Sequence, residues 1–187
     1  MATKHRLALA TAILLAGCMP VVKPPPAPIP VKPVPPAGTL AAAIAASPRL
    51  TKLSAAVTTA DLAATLAGPG PYTLFAPTDA AFGRLSPGTA EGLMDPTNRT
   101  TLSRILKYHI VAGSFTTADL LARLREGGGN ATLPTLAGGV SIRLSLTDDV
   151  ITLTGETGNV GYIEVADQRA ANGVLHEVNG VLIPALD

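Results

Sequence analysis

The hydrophobic positions of the chain change period once. Between Gly38 and Arg125 apolar residues recur at helical spacing in short pieces, and from Val140 onward they alternate with polar ones. The first half predicts a short Ala-rich helix over residues 39–47, stopped by Pro48, and a second helix that buries Leu50, Leu53 and Val57. A third helical piece over 61–67 ends at Gly68-Pro69-Gly70-Pro71, and a strand over 72–76 follows. Pro77-Thr78-Asp79 then turns the chain into a helix carrying Phe82 and Leu85, with Thr78 as its N-cap and Asp79 in its first turn. Leu102, Ile105, Leu106 and His109 fall at i, i+3, i+4 and i+7, which makes 100–108 an amphipathic helix, and 117–125 another.

Gly127-Gly128-Gly129 reads as a flexible connector between the two regimes. Beyond it Val140, Ile142, Leu144 and Leu146 alternate with polar residues, Thr147-Asp148-Asp149 turns the chain, and Ile151 and Leu153 return. This is a hairpin with one dry face. Further short strands are expected at 160–165, 174–178 and 181–183, with turns at Asn172-Gly173 and Asn179-Gly180. Helices lie mostly first and strands mostly last, so the class is α+β.

The segment before Gly38 follows neither period. Lys4-His5-Arg6 precedes an apolar run from Leu7 to Ala16, a pattern that reads as an export signal and is too short to span a bilayer. Leu15-Ala16-Gly17-Cys18 directly after that run resembles the lipobox of bacterial lipoproteins. The resemblance implies removal of residues 1–17 and lipid attachment at Cys18, whose acyl chains on sulfur and amine anchor the protein in a membrane. Met19, rather than Asp, follows Cys18, which by the same analogy points to the outer rather than the inner membrane of a Gram-negative source. Residues 18–37 then form a lipidated, Pro-rich linker that cannot build a helix or a central strand, and 38–187 form the folded domain.

Composition narrows the function classes. The 187-residue chain carries 14 Lys and Arg against 13 Asp and Glu, but residues 38–187 hold 10 against 13. A mildly acidic domain in a chain with 3% aromatic residues and no Trp lacks both the basic footprint and the stacking platforms of a nucleic-acid binder. One Cys excludes an intramolecular disulfide and a multi-thiolate metal site. Neither a G-x-S-x-G elbow, a phosphate-binding G-x-x-x-x-G-K loop nor an H-E-x-x-H helix occurs. No cofactor, metal or enzymatic reaction is indicated.

Three segments carry a family pattern. Thr73-Leu74-Phe75-Ala76-Pro77-Thr78-Asp79-Ala80-Ala81-Phe82 resembles the first signature of the fasciclin domain, and Tyr108-His109 after an amphipathic helix resembles its central motif. Asn172-Gly173-Val174-Leu175-His176-Glu177-Val178-Asn179-Gly180-Val181-Leu182-Ile183-Pro184 resembles the second signature, departing from many relatives at Asn179, where they carry Asp. The resemblance implies an α+β fold, a β-wedge of two sheets packed with several short helices, in which the two signatures meet in the core. It also implies structural roles for Thr73, Phe75, Ala76, Pro77, Thr78, Asp79, Phe82, Asn172 and Gly173, and for His109 and His176 as ties between core strands and loops. For Tyr108 two readings compete: a core ring with a bonded hydroxyl, or an exposed contact, since the motif is associated with integrin-dependent adhesion in animal members of the family.

The expectation from residues and resemblance together is a lipid-anchored bacterial envelope protein, facing periplasm or medium, that displays a non-enzymatic adhesion or interaction domain. Its expected contacts are the membrane through Cys18 and an envelope or matrix protein or glycan. An alternative is a carrier of a small apolar ligand, such as a lipid or pigment, held between helices and wedge.

Overall fold

The computed structural model describes residues 38–86, 88–147 and 150–185. The leader, Cys18, the Pro-rich linker and the Asp148-Asp149 turn lie outside the described residues.

Three helices come first: α1 (Leu40–Ala46), α2 (Thr51–Thr59) and α3 (Ala63–Ala67). They lead into strand β1 (Tyr72–Pro77), helix α4 (Asp79–Gly83), helix α5 (Thr89–Met94), a 3-10 turn at Pro96–Asn98 and helix α6 (Arg99–Tyr108). Strand β2 (Ile110–Ala112) and helix α7 (Thr117–Glu126) precede the strands β3 (Asn130–Pro134), β4 (Ser141–Thr147), β5 (Val150–Thr154), β6 (Val160–Ala170) and β7 (Gly173–Val178). The fold is α+β, and its seven strands run in the order β2-β1-β7-β6-β5-β4-β3. The long strand β6 belongs to both leaves of the wedge: one end pairs with β5 and the other with β7. A bridge between Val111 and Thr135 brings the two outer edges together, so the sheet nearly closes.

The wall between the two halves of the core is the parallel pair β1–β7, in register from Tyr72 opposite Gly173 to Pro77 opposite Val178. A parallel pair is stable when both its faces are covered. Leu74, Ala76 and Leu175 enter a cluster with Leu40, Leu53, Phe82, Leu102 and Ile105 from the helices. Phe75 and Val178 enter a second cluster with Tyr108, Leu120, Leu133, Ile142 and Leu153 inside the wedge. Sequence alternation along β1 therefore sorts side chains between two dry compartments, and every residue of β1 after Tyr72 is buried.

Where elements differ from the periodicity, local hydrogen bonds give the reason. The segment 181–183 forms no strand. The backbone N–H of Leu182 goes to His109, while the carbonyls of Val181 and Ile183 accept from the side chains of Asn159 and Thr157. The ladder is replaced by side-chain bonds. Strands β2 and β3 were not evident from the pattern because one has three residues and the other is a mostly polar edge strand ending in Pro134. β6 extends to Ala170 through a polar run that includes a register shift, with Asp167 in the left-handed region at φ 57°. The Gly127-Gly128-Gly129 segment is a built helix stop rather than a loose connector. Gly127 and Gly129 donate to Arg123 and Leu124 carbonyls at 2.9 and 2.7 Å, with Gly128 and Gly129 at positive φ.

Candidate functional site

The two signature segments are β1 and β7 with the turns at their ends, so residues a hundred positions apart become neighbours. Phe75 is the hinge of the arrangement. Its ring stacks on His176 at 5.6 Å between centroids, and its backbone N–H donates to the His109 carbonyl at 3.0 Å. Tyr108 meets His109 edge-on at 6.5 Å.

Both histidines are committed to backbone groups. Nδ1 of His109 donates to the Ile105 carbonyl at 2.8 Å, which leaves Nε2 free to accept the Leu182 N–H at 3.0 Å. His176 does the reverse: its Nε2 donates to the Phe115 carbonyl at 2.8 Å, and its Nδ1 accepts the Asp167 N–H at 3.2 Å. Burial disfavours the charged form of each. It pushes His109 down to about 4 against the opposing pull of the Ile105 carbonyl, and lowers His176 against the Phe115 carbonyl and Asp167. Two neutral imidazoles with both nitrogens occupied are rivets, each tying a loop to a strand or helix end. Among the described residues no group of three or more His, Cys, Asp or Glu could hold a metal ion.

Tyr108 is fully buried, and its hydroxyl donates to the Ser141 carbonyl at 2.9 Å, linking α6 to β4. Burial also raises its phenol pKa. Thr73 donates to the Gly113 carbonyl at 2.7 Å and accepts the Phe115 N–H at 2.8 Å, which fixes the loop before α7. Thr78 caps α4, accepting from Ala81 N–H, and Phe82 on that helix is buried in the core cluster beneath the helices.

Two signature residues have roles that their sequence positions did not disclose. Asp79, in the first turn of α4, also caps a different helix: its carboxylate accepts the Thr51 hydroxyl at 2.6 Å and the Lys52 N–H at 2.8 Å at the start of α2. Desolvation opposes ionisation of Asp79, but these hydrogen bonds outweigh it and hold the carboxyl below its ordinary range. Asn172, in the β6–β7 turn, accepts the Leu40 N–H at 2.8 Å and donates to the Leu66 and Gly68 carbonyls, each at 2.8 Å. One amide thus joins the start of α1 to the end of α3. Asp79 and Asn172 stand beyond opposite ends of the paired stretch of β1 and β7. Gly173 beside Asn172 allows a close strand approach, since a Cβ there would lie 2.0 Å from the Tyr72 carbonyl oxygen.

Glu177 was not a candidate in the sequence. It is buried on β7, accepts from Gln168 at 2.8 Å and forms an ion pair with Arg49 at 3.1 Å, and Arg49 also bridges to Glu164. Only the topology shows this, because Arg49 precedes α2 and Glu164 lies on β6.

The signatures therefore work as fasteners of an α+β wedge, and their polar atoms are spent on internal bonds. The family model of the fasciclin domain matches residues 48–184. The chain belongs to the fasciclin domain family. An uncharacterised Synechocystis protein, sll1735, is 40% identical over 135 residues, covering 72% of this chain and 90% of that one. Pig transforming growth factor-beta-induced protein ig-h3 is 33% identical over 150 residues, 80% of this chain and 20% of that much longer protein. Among solved structures, the FAS1 domain pair of the insect cell adhesion molecule fasciclin I superposes with a TM-score of 0.69 at 19% identity, over 81% of this chain and 52% of that one.

Proposed function

We propose that this protein is a bacterial envelope lipoprotein, anchored through Cys18, whose fasciclin domain serves as a non-enzymatic adhesion or interaction module held off the membrane by the Pro-rich linker. The observation that carries the module reading is the commitment of His109 and His176: the residues most capable of chemistry have both ring nitrogens engaged by backbone. Contacts with other molecules then fall to the surface. The name of the insect relative, a cell adhesion molecule, favours the same class of work. The anchor rests on Leu15-Ala16-Gly17-Cys18 at the end of the apolar run. Attachment by two or more acyl chains is stable where a single chain is marginal, and display in many copies turns weak contacts into avid ones.

Labelled-acyl incorporation into the wild type and Cys18→Ala tests the anchor; absence of label in the wild type sinks it. Protease accessibility on intact cells tells periplasmic from surface display. For the module, a deletion strain should lose attachment or aggregation, and unchanged attachment, aggregation and envelope integrity would overturn the reading.

A further inference from the structure

The chain comes into the folded domain at the mouth of a cleft. Gly38 lines that mouth, and its carbonyl accepts the Ala171 N–H of the β6–β7 turn at 2.9 Å. Its φ of 103° favours glycine, and a Cβ on it would lie 2.9 Å from the Ala42 Cβ, so the backbone turns tightly against the start of α1. From there the cleft, of about 390 Å³, runs between α1 and β6. Ala42, Ala43 and Ala46 form one wall, and Val165 belongs to the other. At the far end, beyond the last turn of α1, Arg49 is shared by two carboxylates, Glu164 and Glu177. Glu177 is 4% exposed, and its Oε2 faces the guanidinium at 3.1 Å without a hydrogen bond of its own. Two carboxylates on one guanidinium leave that end negative. Arg169, nearer the mouth, has Asp119 on α7 as its counter-charge.

We propose that residues 32–37, the end of the Pro-rich segment, fold back into this cleft, with Val34 and the proline rings against the alanine wall and the Lys32 ammonium on Glu164. The lengths match. As polyproline II the six residues span about 19 Å. The seven positions from Ala171 back to Glu164 span about 23 Å at most, and the Lys32 side chain covers the difference. The charges match as well, since residues 18–37 hold Lys23 and Lys32 and no acid, and Lys32 is the one within reach of the negative end.

The cleft favours the chain's own segment over other occupants. Grooves that capture Pro-rich ligands from solution are lined by aromatic rings, and no aromatic residue lines this one. A segment tethered at the mouth needs far less affinity, because a short tether supplies an effective concentration in the millimolar range. Polyproline II is also extended before it docks, so little conformational entropy is lost. Docking decides which end of the domain faces outward. An undocked chain leaves the domain beside Asn172, whereas a docked one leaves beside Glu164 and turns the β6–β7 turn away from the tether. In an anchored chain the free spacer shortens from residues 18–37 to residues 18–31, from about 60 Å to about 43 Å.

This inference goes beyond the module reading, since the contact forms with or without an acyl anchor or an adhesive partner. The test uses the full chain carrying Cys18→Ala, which leaves no other cysteine, and Pro30→Cys to place one nitroxide just beyond the docked segment. In amide NMR spectra the label should broaden Arg49 and Glu164 more than Ser114 and Asn172, which line a separate cleft at the β6–β7 turn. Lys32→Glu should lower the docked fraction about two- to five-fold, on the scale of an exposed charge pair. Ala46→Arg, which fills the cleft, should remove the preference for Arg49 and Glu164. Ala45→Arg, at an exposed position of α1 outside the cleft, should leave it unchanged. If Ala46→Arg disturbs the helix, Lys32→Glu, outside the folded domain, carries the result. Broadening of Ser114 and Asn172 equal to that of Arg49 and Glu164, a preference that persists undiminished in Lys32→Glu, or its loss in Ala45→Arg overturns the proposal.

Discussion

The backbone N–H of Leu182 donates to Nε2 of His109 across 3.0 Å, fastening the segment after β7 to the end of α6. The bond exists only while His109 is neutral, because a protonated Nε2 has no lone pair to offer.

Stability should therefore depend on pH. His109 titrates near 6.5 in the unfolded chain and near 4 in the folded one, and His176 is lowered too. The unfolded state binds more protons in that interval, so stability is fully present above about 6.5 and falls as pH drops through 4, by about 3 kcal/mol from His109. Urea unfolding at pH 7, 5.5 and 4 should show the decline, and His109→Gln should flatten part of it. A wild-type profile level across this range would contradict the assignment of His109 as a buried neutral acceptor.

Asn172 joins α1 to α3 through three hydrogen bonds. Asn172→Ala should cost about 2–3 kcal/mol, since three part-buried donors and acceptors lose their partner. Hydrogen exchange should show the α1 amides losing protection first. Asn172→Asp should cost no less, as it sets a carboxylate oxygen against the Leu66 and Gly68 carbonyls.

Gly173 and Gly128 separate two uses of glycine. A Cβ at Gly173 would meet the Tyr72 carbonyl oxygen at 2.0 Å, whereas at Gly128 it would meet nothing within 4 Å but would sit at φ 64°. Gly173→Ala should force β1 and β7 apart at a cost on the order of 3 kcal/mol. Gly128→Ala should cost only about 1–2 kcal/mol. Comparable losses in chemical denaturation would show that the strand contact is looser than described.

For Tyr108, burial and the Ser141 bond favour the core-ring reading over the exposed contact. Tyr108→Phe should cost about 1 kcal/mol for the hydrogen bond, and Tyr108→Ala about 3–5 kcal/mol for the cavity. A thermal melt left unmoved by Tyr108→Ala, with partner binding lost, would restore the contact reading.

Asp79→Ala should cost about 1 kcal/mol through the lost cap on α2, and its removal should fray that helix at Thr51 and Lys52. Because the carboxyl is held below its ordinary value of 3.8, this contribution persists to pH values under 3.8 and vanishes only in stronger acid. Helix content measured at pH 7 and unchanged by the substitution would remove Asp79 as a cap.

The sequence by itself determined the elements whose apolar period is long enough to read. Leu102, Ile105 and Leu106 define α6, Ile142, Leu144, Ile151 and Leu153 the β4–β5 hairpin, and Thr78 the start of α4. The signature resemblance also led to the correct family and to two signatures that meet in the core, a meeting that the structure makes through the β1–β7 pair. What it could not determine was anything set by partners far along the chain. Val181, Leu182 and Ile183 alternate with nothing and resemble a strand, but long-range bonds from His109, Asn159 and Thr157 occupy their backbone groups. Asp79 looks like a first-turn acid of its own helix because propensity is local, and only packing brings Thr51 and Lys52 within its reach. Likewise, α6 is legible as amphipathic from its sequence alone. That its polar side faces Gly138 across a cleft, so that three scattered cations share one wall, follows from the β3–β4 turn folding back beside it, and only tertiary structure decides that.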